Sequence, residues 1–188
     1  MKNAFESFKN HFLISMPQLN DPEFEHTVIY LCEHTREGAM GITINRPSNI
    51  DFSVLAEHLA LPLKADHLAN VPIYSGGPVE SERGFILHSA DKTWSDTLPV
   101  TEFVSLSAAL ATLEDIAKGQ GPESFIITLG CAGWDADQLE SEISNNLWLV
   151  CEADLDVLFN TPSDMQFSAA TRVLGFDMNR LSPDVGHC

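Results

Sequence analysis

The stretch TVIYLCEHTREGAMGITINRP, residues 27–47, holds two apolar, β-branched segments separated by a polar turn. Residues 27–34 and 41–46 fit two strands and residues 35–38 fit the turn, so the stretch predicts a β-hairpin. Alternate side chains of a strand point to opposite faces. Both faces of the first strand are apolar, which predicts a strand at the centre of a sheet that is covered on both sides: Val28, Tyr30 and Cys32 on one face, Ile29 and Leu31 on the other.

The remaining apolar segments predict an α+β fold. Hairpins come early and helices separate the later strands, which favours a mixed sheet in a single domain over residues 1–188. No G-x-G-x-x-G follows the first strand, so a dinucleotide-binding fold has no support. The clearest helix has an apolar stripe that includes Leu110 and Leu113, and Gly119 suits the position after its end. Further strands are expected at residues 12–16, 71–75, 84–88, 103–105, 125–129 and 147–151, and helices at 50–61, 107–118, 135–145 and 163–174.

The chain carries a formal net charge of -17, from 27 acidic and 10 basic residues. Nucleic-acid binding draws much of its affinity from Lys and Arg that release counterions from phosphates. A chain this acidic repels a polyanion at long range, and no Lys/Arg run offers a local exception. Direct binding of DNA or RNA is therefore disfavoured.

The compartment follows from the N-terminus and the cysteines. Charged and polar residues interrupt the first residues, so they do not form a signal peptide, and no window reaches the ~18 apolar residues of a membrane span. We expect a cytoplasmic protein without membrane association. Cys32, Cys131, Cys151 and Cys188 lack the close spacing of a zinc site or a disulfide framework. They are expected to be reduced and mostly buried, with Cys188 a free terminal thiol.

Five segments, in this order and spacing, carry a resemblance to a known family: FLISMPQLNDPEFEHTVIYLCEH, GAMGITINRP, GGPVESERGFILH, LGCAGWDADQLESEISNNLWL and LSPDVGHC. On these segments the chain resembles the AlgH/YqgE family of small bacterial cytosolic proteins. The resemblance implies an α+β fold with flanking helices around a mixed β-sheet that is bifurcated or curled and approaches a barrel. One member was named as a regulator of alginate production, so the description "transcriptional regulator" accompanies the family, whereas the resemblance implies no established reaction, cofactor or ligand.

Matched residue by residue, these motifs supply the family's characteristic positions. One departure is DAD at residues 135–137, where relatives often have glycine, and the extra carboxylates argue against an anion site at that helix start. The positions are Glu33, His34, Asn45, Arg46, Pro47, Gly76, Gly77, Pro78, Arg83, His88, Gly130, Gly133, Trp134, Gln138 and Glu142.

The candidate ligand-binding residues centre on two of the few cations. Arg46 and Arg83 lie at strand ends beside Gly or Pro, and a guanidinium offers five donors suited to a carboxylate or phosphate. They could clasp an anionic small molecule or a partner's carboxylate, or they could pair with acids inside the fold. The Gly-rich turn could present backbone N–H groups to an anion or be a plain tight turn. The candidate set is Asn45, Arg46, Gly76, Gly77, Arg83 and His88.

Secondary candidates are Glu33, His34, Trp134 and Gln138. Glu33 and His34 could form an acid/base set with His88, although adjacent strand residues point to opposite faces. No HxH or HxxxH spacing supports a metal, and we expect no cofactor. The run GCAGW, residues 130–134, is expected to join a strand to a helix, where Cys131 could be a nucleophile, but a packed small residue is the preferred interpretation.

Three functions follow from these residues. The preferred one is a non-enzymatic regulatory or binding domain that recognises a small anionic ligand or a protein partner, with any effect on transcription indirect. The first alternative is an enzyme of unknown reaction that uses Glu33, His34 or His88 near Arg46. The second is a direct DNA-binding transcriptional regulator, which the net charge of -17 disfavours. The sequence does not indicate an oligomeric state.

Overall fold

The predicted hairpin lies at the centre of a larger sheet. The computed structural model describes residues 5–175, and in it β2 (Val28–Thr35) pairs antiparallel with β3 (Gly38–Thr43). The opposite edge of β2 pairs with β1 (His11–Ser15). All five residues from Val28 to Cys32 are fully buried. The expectation of a central strand covered on both faces is therefore confirmed.

Residues 5–175 form ten strands and six helices, and the main path through the sheet runs β10-β1-β2-β3-β9-β6-β8-β7. The other strands are β4 (Pro47–Asp51), β5 (Pro72–Ser75), β6 (Val79–Ser89), β7 (Leu98–Pro99), β8 (Val104–Ser107), β9 (Phe125–Asp135) and β10 (Trp148–Glu152). The helices are α1 (Phe52–His58), α2 (Asp66–Ala69), α3 (Leu110–Ala117), α4 (Gln138–Ser144), α5 (Leu155–Phe159) and α6 (Ser163–Val173).

Strand β9 is where the sheet branches. Its C-terminal part pairs antiparallel with β3, from Gly41 opposite Ala132 onward, whereas its N-terminal part pairs in parallel with β5, with Ile73 opposite Ile127. Two strands thus share one edge of β9, and β6 occupies the other. The result is a mixed, curled sheet with flanking helices, as the resemblance implied.

Three glycines make this branch point possible. Gly130 has φ +75°, and a Cβ there would lie 2.3 Å from the carbonyl oxygen of Gly77. A Cβ on Gly76 would lie 2.2 Å from the oxygen of Gly130, and one on Gly77 would lie 2.3 Å from the backbone of Cys131. These separations are far below van der Waals contact. The backbones of β9 and of the turn after β5 therefore approach as closely as they do only because all three positions lack side chains.

Helix α6 packs against β1, β2 and β10. A second core lies beneath α1 and α3, where Phe52, Leu113 and Ile116 meet the β-sheet residues Ile73 and Ile127. Within the described chain, no helix is long and apolar enough to cross a membrane.

Several element bounds differ from the predicted ones. Strand β9 continues six residues beyond Leu129, because the glycines of GCAGW allow close strand pairing and do not break the strand. Leu110, expected on the buried stripe of α3, is 49% exposed, since α3 begins at Leu110 and not at residue 107. Gly119 has the left-handed conformation predicted for it, with φ +74°. Elements β4, β7, α2 and α5 were not predicted.

Gly130→Ala should destabilise the fold by at least about 3 kcal/mol, because it combines left-handed backbone strain with a clash against the Gly77 carbonyl. Urea unfolding followed by far-UV circular dichroism measures this loss. Two controls separate the causes. Gly119→Ala has a left-handed φ but no atom of residues 5–175 within 4 Å of its new Cβ, and should cost about 1–2 kcal/mol.

The second control is Gly84→Ala, a position with neither a left-handed φ nor an atom of residues 5–175 within 4 Å of the new Cβ. It should change the free energy of unfolding by less than about 1 kcal/mol. If all three variants lost similar stability, the close backbone approach at Gly130 would not be what limits this position.

Candidate functional site

Arg46 holds a loop in place through the backbone. Its guanidinium donates hydrogen bonds to the carbonyl oxygens of Glu23, Pro22 (2.9 Å) and Glu25 (3.2 Å). No ion pair of Arg46 occurs within residues 5–175. Its donors therefore bind backbone carbonyls, an arrangement that neither interpretation from the sequence included.

Asn45 also binds the backbone at the end of this loop. Its Oδ1 accepts from the Val28 N–H at 2.8 Å, and its Nδ2 donates to the His26 carbonyl at 2.9 Å. Together Asn45 and Arg46 pin the second half of the β1–β2 loop, which we define as residues 16–27. The Asn-Arg-Pro motif is thus a clamp on a loop that precedes the central strand.

A cleft of about 410 Å³ lies between the β1–β2 loop and α6. Its wall includes the half-buried apolar side chains of Met16, Leu19 and Phe167. Asp21 and the exposed Glu25 add carboxylates, and no lysine or arginine is among the lining residues. The full lining is Ser15, Met16, Pro17, Leu19, Asn20, Asp21, Pro22, Glu25, His26 and Phe167.

The cleft was missed by the sequence analysis. The signal was present, because a long irregular segment between two strands is uncommon and is often functional. His26 in this loop has a left-handed φ of +53°, and its ring packs edge-on against Phe167 with centroids 5.0 Å apart. This contact joins the loop to α6, and both residues line the cleft.

Arg83 and the Gly-rich turn lie elsewhere on the sheet. Arg83 Nη1 is 3.2 Å from both carboxylate oxygens of Glu80, and its guanidinium stacks over the Phe85 ring. This is the internal pairing that the sequence left open as an alternative. The Gly76 N–H donates to the Leu129 carbonyl at 2.8 Å, so it is not presented to a ligand. A ligand-binding role for these residues stays a prediction.

His34 anchors the N-terminal segment. Its Nδ1 accepts from the Phe8 N–H at 2.9 Å, so the proton lies on Nε2, which is 3.0 Å from Glu140 Oε1. The rings of Phe5 and Phe8 pack against the imidazole, with centroids at 4.9 and 5.5 Å. Glu33, its neighbour, is exposed, in keeping with the expected opposite orientation. Both nitrogens of His34 therefore bind other parts of the fold, one the N-terminal segment and the other α4.

His88 is fully buried at the other end of β9. Its Nδ1 donates to the Ser89 carbonyl at 2.8 Å, its ring packs at right angles to Trp94, and Nε2 has no hydrogen-bond partner within residues 5–175. Burial lowers the pKa of His88 below its ordinary value of 6.5, which favours the neutral imidazole at pH 7.

The two histidines are far apart. In the strand register, His88 of β6 lies opposite Phe125 of β9. His34 of β2 lies opposite Ala39 of β3, and Ala39 in turn lies opposite Trp134 of β9. Nine residues of strand separate those two β9 positions, on the order of 30 Å at the usual rise of about 3.3 Å per residue. The structure therefore does not bring Glu33, His34 and His88 into one acid/base set.

Trp134 and Gln138 belong to a network around Glu142. Glu142 Oε2 accepts from the indole N–H groups of Trp134 and Trp148, both at 2.8 Å, and Oε1 accepts from Gln138 Nε2 at 2.9 Å. One carboxylate thereby ties α4 to β9 and β10. The sequence motifs identified Glu142 as a family position. Nothing in the spacing of the two tryptophans indicated that both donate to this one carboxylate.

Cys131 lies inside β9 and is 4% exposed, so the expected place between a strand and a helix was wrong. Burial is the main cause that raises the pKa of its thiol, with a contribution from the Glu80 carboxylate. Cys32 and Cys151 are buried as well, and the three thiols are free; Cys188 lies outside the described residues. Within the same residues, no group of three or more His, Cys, Asp or Glu side chains could hold a metal.

Glu142→Gln should cost about 2 kcal/mol in the free energy of unfolding, because an amide N–H₂ then faces groups that themselves donate. Chemical denaturation measures it. The control Glu57→Gln removes an exposed carboxylate on α1 and should stay within about 0.5 kcal/mol of wild type. Equal effects of the two substitutions would show that the network around Glu142 contributes no net stability.

His88→Asn should flatten the pH dependence of stability. The unfolded chain binds a proton at His88 near the ordinary pKa of 6.5, whereas the folded chain binds it only at lower pH. The unfolded state is therefore more protonated as pH falls below 6.5, and the wild type loses stability in that window. The asparagine cannot titrate but can still donate to the Ser89 carbonyl.

The measurement is the free energy of unfolding at several pH values from about 7 to about 5, a range that includes the ordinary pKa of histidine. His58→Asn, at an exposed site on α1, is the matched control and should keep the wild-type slope. If His88→Asn kept that slope too, burial of a neutral His88 would not contribute to acid sensitivity.

Comparison with known proteins agrees with this architecture. A UPF0301 protein from Marinomonas sp. (strain MWYL1) is 73% identical over 187 residues and is covered along 100% of both chains. A UPF0301 protein from Thioalkalivibrio sulfidiphilus is 45% identical over 184 residues, 98% of each chain. The solution structure of the AlgH protein from Pseudomonas aeruginosa superposes with a TM-score of 0.80 at 43% identity, covering 100% of both chains.

A crystal structure of a Corynebacterium diphtheriae protein shares the fold, with a TM-score of 0.69 at 19% identity over 92% of this chain and 89% of that one. The pattern of the AlgH-like family matches residues 12–179. The family suggested by the sequence motifs is therefore confirmed, and the chain belongs to the AlgH-like family.

Proposed function

We propose that this protein is a non-enzymatic binding domain that recognises a basic, partly apolar segment of a protein partner in the cleft between the β1–β2 loop and α6. The observation that carries the proposal is the composition of this cleft. Apolar side chains of Met16, Leu19 and Phe167 stand beside the carboxylates of Asp21 and Glu25. An apolar anchor with a flanking cation is the ligand that such a surface fits.

A protein partner is favoured over a small anion by the state of the two arginines. The donors of Arg46 are engaged by loop carbonyls, and Arg83 is paired with Glu80. An anion would have to displace these bonds and approach a chain of net charge -17. A cationic segment is attracted by the same field.

The hydrogen bonds from Asn45 and Arg46 keep the cleft ready for a partner. They hold one wall of the cleft in its conformation before any partner arrives, which lowers the ordering cost of binding. At about 410 Å³ the cleft is large enough for a few side chains of a partner segment. Any influence on transcription would then act through the bound partner.

The other functions have weaker support. An enzyme that uses Glu33, His34 or His88 near Arg46 is less well supported. Both nitrogens of His34 are engaged, His88 is buried, and the donors of Arg46 bind loop carbonyls. His34 and His88 also lie beside opposite ends of β9. A direct DNA-binding regulator requires a basic surface, and the chain has 10 basic against 27 acidic residues.

The test is fluorescence anisotropy with labelled nonapeptides that carry lysines around one leucine, methionine or phenylalanine, and with matched peptides in which glutamate replaces lysine. The lysine peptides should bind with micromolar affinity and the glutamate peptides should not. Glu25→Lys should weaken binding about tenfold, because a rim attraction becomes a repulsion. Glu57→Lys, an equal change of net charge at an exposed site on α1, should weaken it less than about twofold.

Equal losses in the two variants would mean that the peptides follow the overall charge and not the cleft. Failure of every lysine peptide to bind, with wild type folded, would overturn the proposal.

A further inference from the structure

We infer that the outer edge of β10 binds an extended, cationic segment of a protein partner, which adds to the sheet as a further strand. This surface is distinct from the cleft, and the inference does not rest on the proposed function. Strand β10 ends the path of the sheet, and within residues 5–175 the one strand that pairs with it is β1. The other edge of β10 therefore has no strand beside it in the described chain.

The hydrogen bonds at both ends of β10 fix which of its residues bond to β1. The Met16 N–H donates to the Leu147 carbonyl at 3.0 Å, and the Ala153 N–H donates to the Asn10 carbonyl at 3.1 Å. In an antiparallel pair every second residue exchanges bonds with its neighbour. The register between β1 and β10 is unbroken, so the odd-numbered residues of β10 direct their backbone groups towards β1.

The even-numbered residues of β10 direct their backbone groups to the outer edge. These are Trp148, Val150 and Glu152, and their N–H and C=O groups have no hydrogen-bond partner in the part of the chain that the structure describes. Leu149 and Cys151, between them, bond to β1. A row of such free groups is the template to which an extended peptide adds in β-augmentation.

Two apolar side chains of β10 are left partly uncovered at this edge. Leu149 and Val150 point to opposite faces of the sheet and are each half-buried. Their register partners on β1, Ile14 and Leu13, are fully buried. An added strand with β-branched side chains would therefore cover apolar surface on both faces as well as satisfy the backbone.

This edge lacks the features that usually prevent strand addition. Proline, lysine and bulges commonly protect an edge strand. Strand β10 reads WLVCE and has no register shift against β1. By contrast, β7 has two residues and includes Pro99, whereas β4 begins at Pro47 and pairs with β5 through a register shift.

The charge near the edge favours a cationic partner. Residues 119–171, which supply α4, β10, α5 and most of α6, include nine acidic residues and no Lys or Arg. Both α4 and α6 contact β10, and Glu152 is exposed on the strand itself. Lysines that flank an extended segment are attracted by this field. A second copy would bring the same acidic residues and a further charge of -17 to the contact, which disfavours pairing of β10 with itself.

The test is amide hydrogen exchange in the ¹⁵N-labelled full chain, measured by NMR without and with the nonapeptide KKVTVTVKK. In the free protein the amides of Val150 and Glu152 should exchange at least about tenfold faster than those of Leu149 and Cys151 in the same strand. Saturation with the peptide should slow the two fast amides at least about tenfold. The matched peptide EEVTVTVEE should not.

Three results of this experiment would overturn the inference. Failure of KKVTVTVKK to slow these amides would show that no strand is added. Slow exchange of the same amides in dilute free protein would mean that the edge is already paired. Protection in the free protein that rises with protein concentration would assign the edge to a second copy of the chain.

Two N-methylated peptides separate strand addition from attraction by charge alone. One is KKVTVTVKK methylated at the backbone nitrogens of its three valines, and the other is methylated at those of its two threonines. Because neighbouring strand residues direct their N–H groups to opposite edges, only one of the two patterns blocks the groups that face β10. That peptide should bind at least about tenfold more weakly than the other. Equal affinities would contradict strand addition.

Val150→Pro tests the edge from the side of the protein. Proline has no N–H, but the N–H of Val150 does not bond to β1, so the pairing of β1 with β10 is retained. The substitution should weaken binding of KKVTVTVKK at least about tenfold. Val150→Thr keeps the N–H and the β-branched shape, and should weaken it less than about threefold. Unchanged binding by folded Val150→Pro would overturn the inference, and the methylated peptides test it on the wild type if this variant does not fold.

Glu25→Lys separates the edge from the cleft. This variant changes a residue that lines the cleft and should keep the peptide-induced protection of Val150. Loss of protection in Glu25→Lys, together with its retention in Val150→Thr and unchanged peptide affinity in Val150→Pro, would assign the peptide to the cleft. That result would refute strand addition and leave the proposed function in place.

Discussion

The structure depends on one close backbone contact, at the place where β9 changes neighbours. Gly76, Gly77 and Gly130 bring the turn after β5 against the middle of β9 at separations that a Cβ would forbid. Because β9 can then pair with β5 along one part and with β3 along the next, the sheet branches and curls. The hairpin, whose strand β2 follows the β1–β2 loop, joins the rest of the sheet here through the pairing of β3 with β9.

Much of the family's characteristic polar chemistry serves to hold elements together. Asn45 and Arg46 bind four backbone carbonyls of the β1–β2 loop and the first N–H of β2. His34 joins the N-terminal segment to α4, and Glu142 joins α4 to two strands. A buried polar group without a partner is costly, so such bonds are strongly determined. Motif residues of this kind identify a fold reliably and indicate a ligand poorly. In this protein the ligand-sized space lies beside the clamped loop and not at the clamping side chains.

The sequence predicted local features better than long-range ones. The hairpin and Gly119 follow from neighbours along the chain, so residue pattern was sufficient for them. The length of β9 depends on pairing with β3 and β6, and the glycines of GCAGW resemble a strand end when those partners are unknown. The role of Arg46 was beyond the sequence for a similar reason. A guanidinium that binds three carbonyls of a distant loop has the same local sequence as one that awaits an anion.

The three tryptophans give the protein a built-in pair of optical reporters. Trp134 and Trp148 share Glu142 at one end of β9, whereas Trp94 packs on His88 at the other end and donates its indole N–H to Asp115 at 3.0 Å. Each indole thus has a carboxylate partner and a fixed environment. Replacing either group of tryptophans by phenylalanine would leave fluorescence from one end only. The two halves of this branched sheet can therefore be followed separately as they unfold, which shows whether the branch point transmits cooperativity between them.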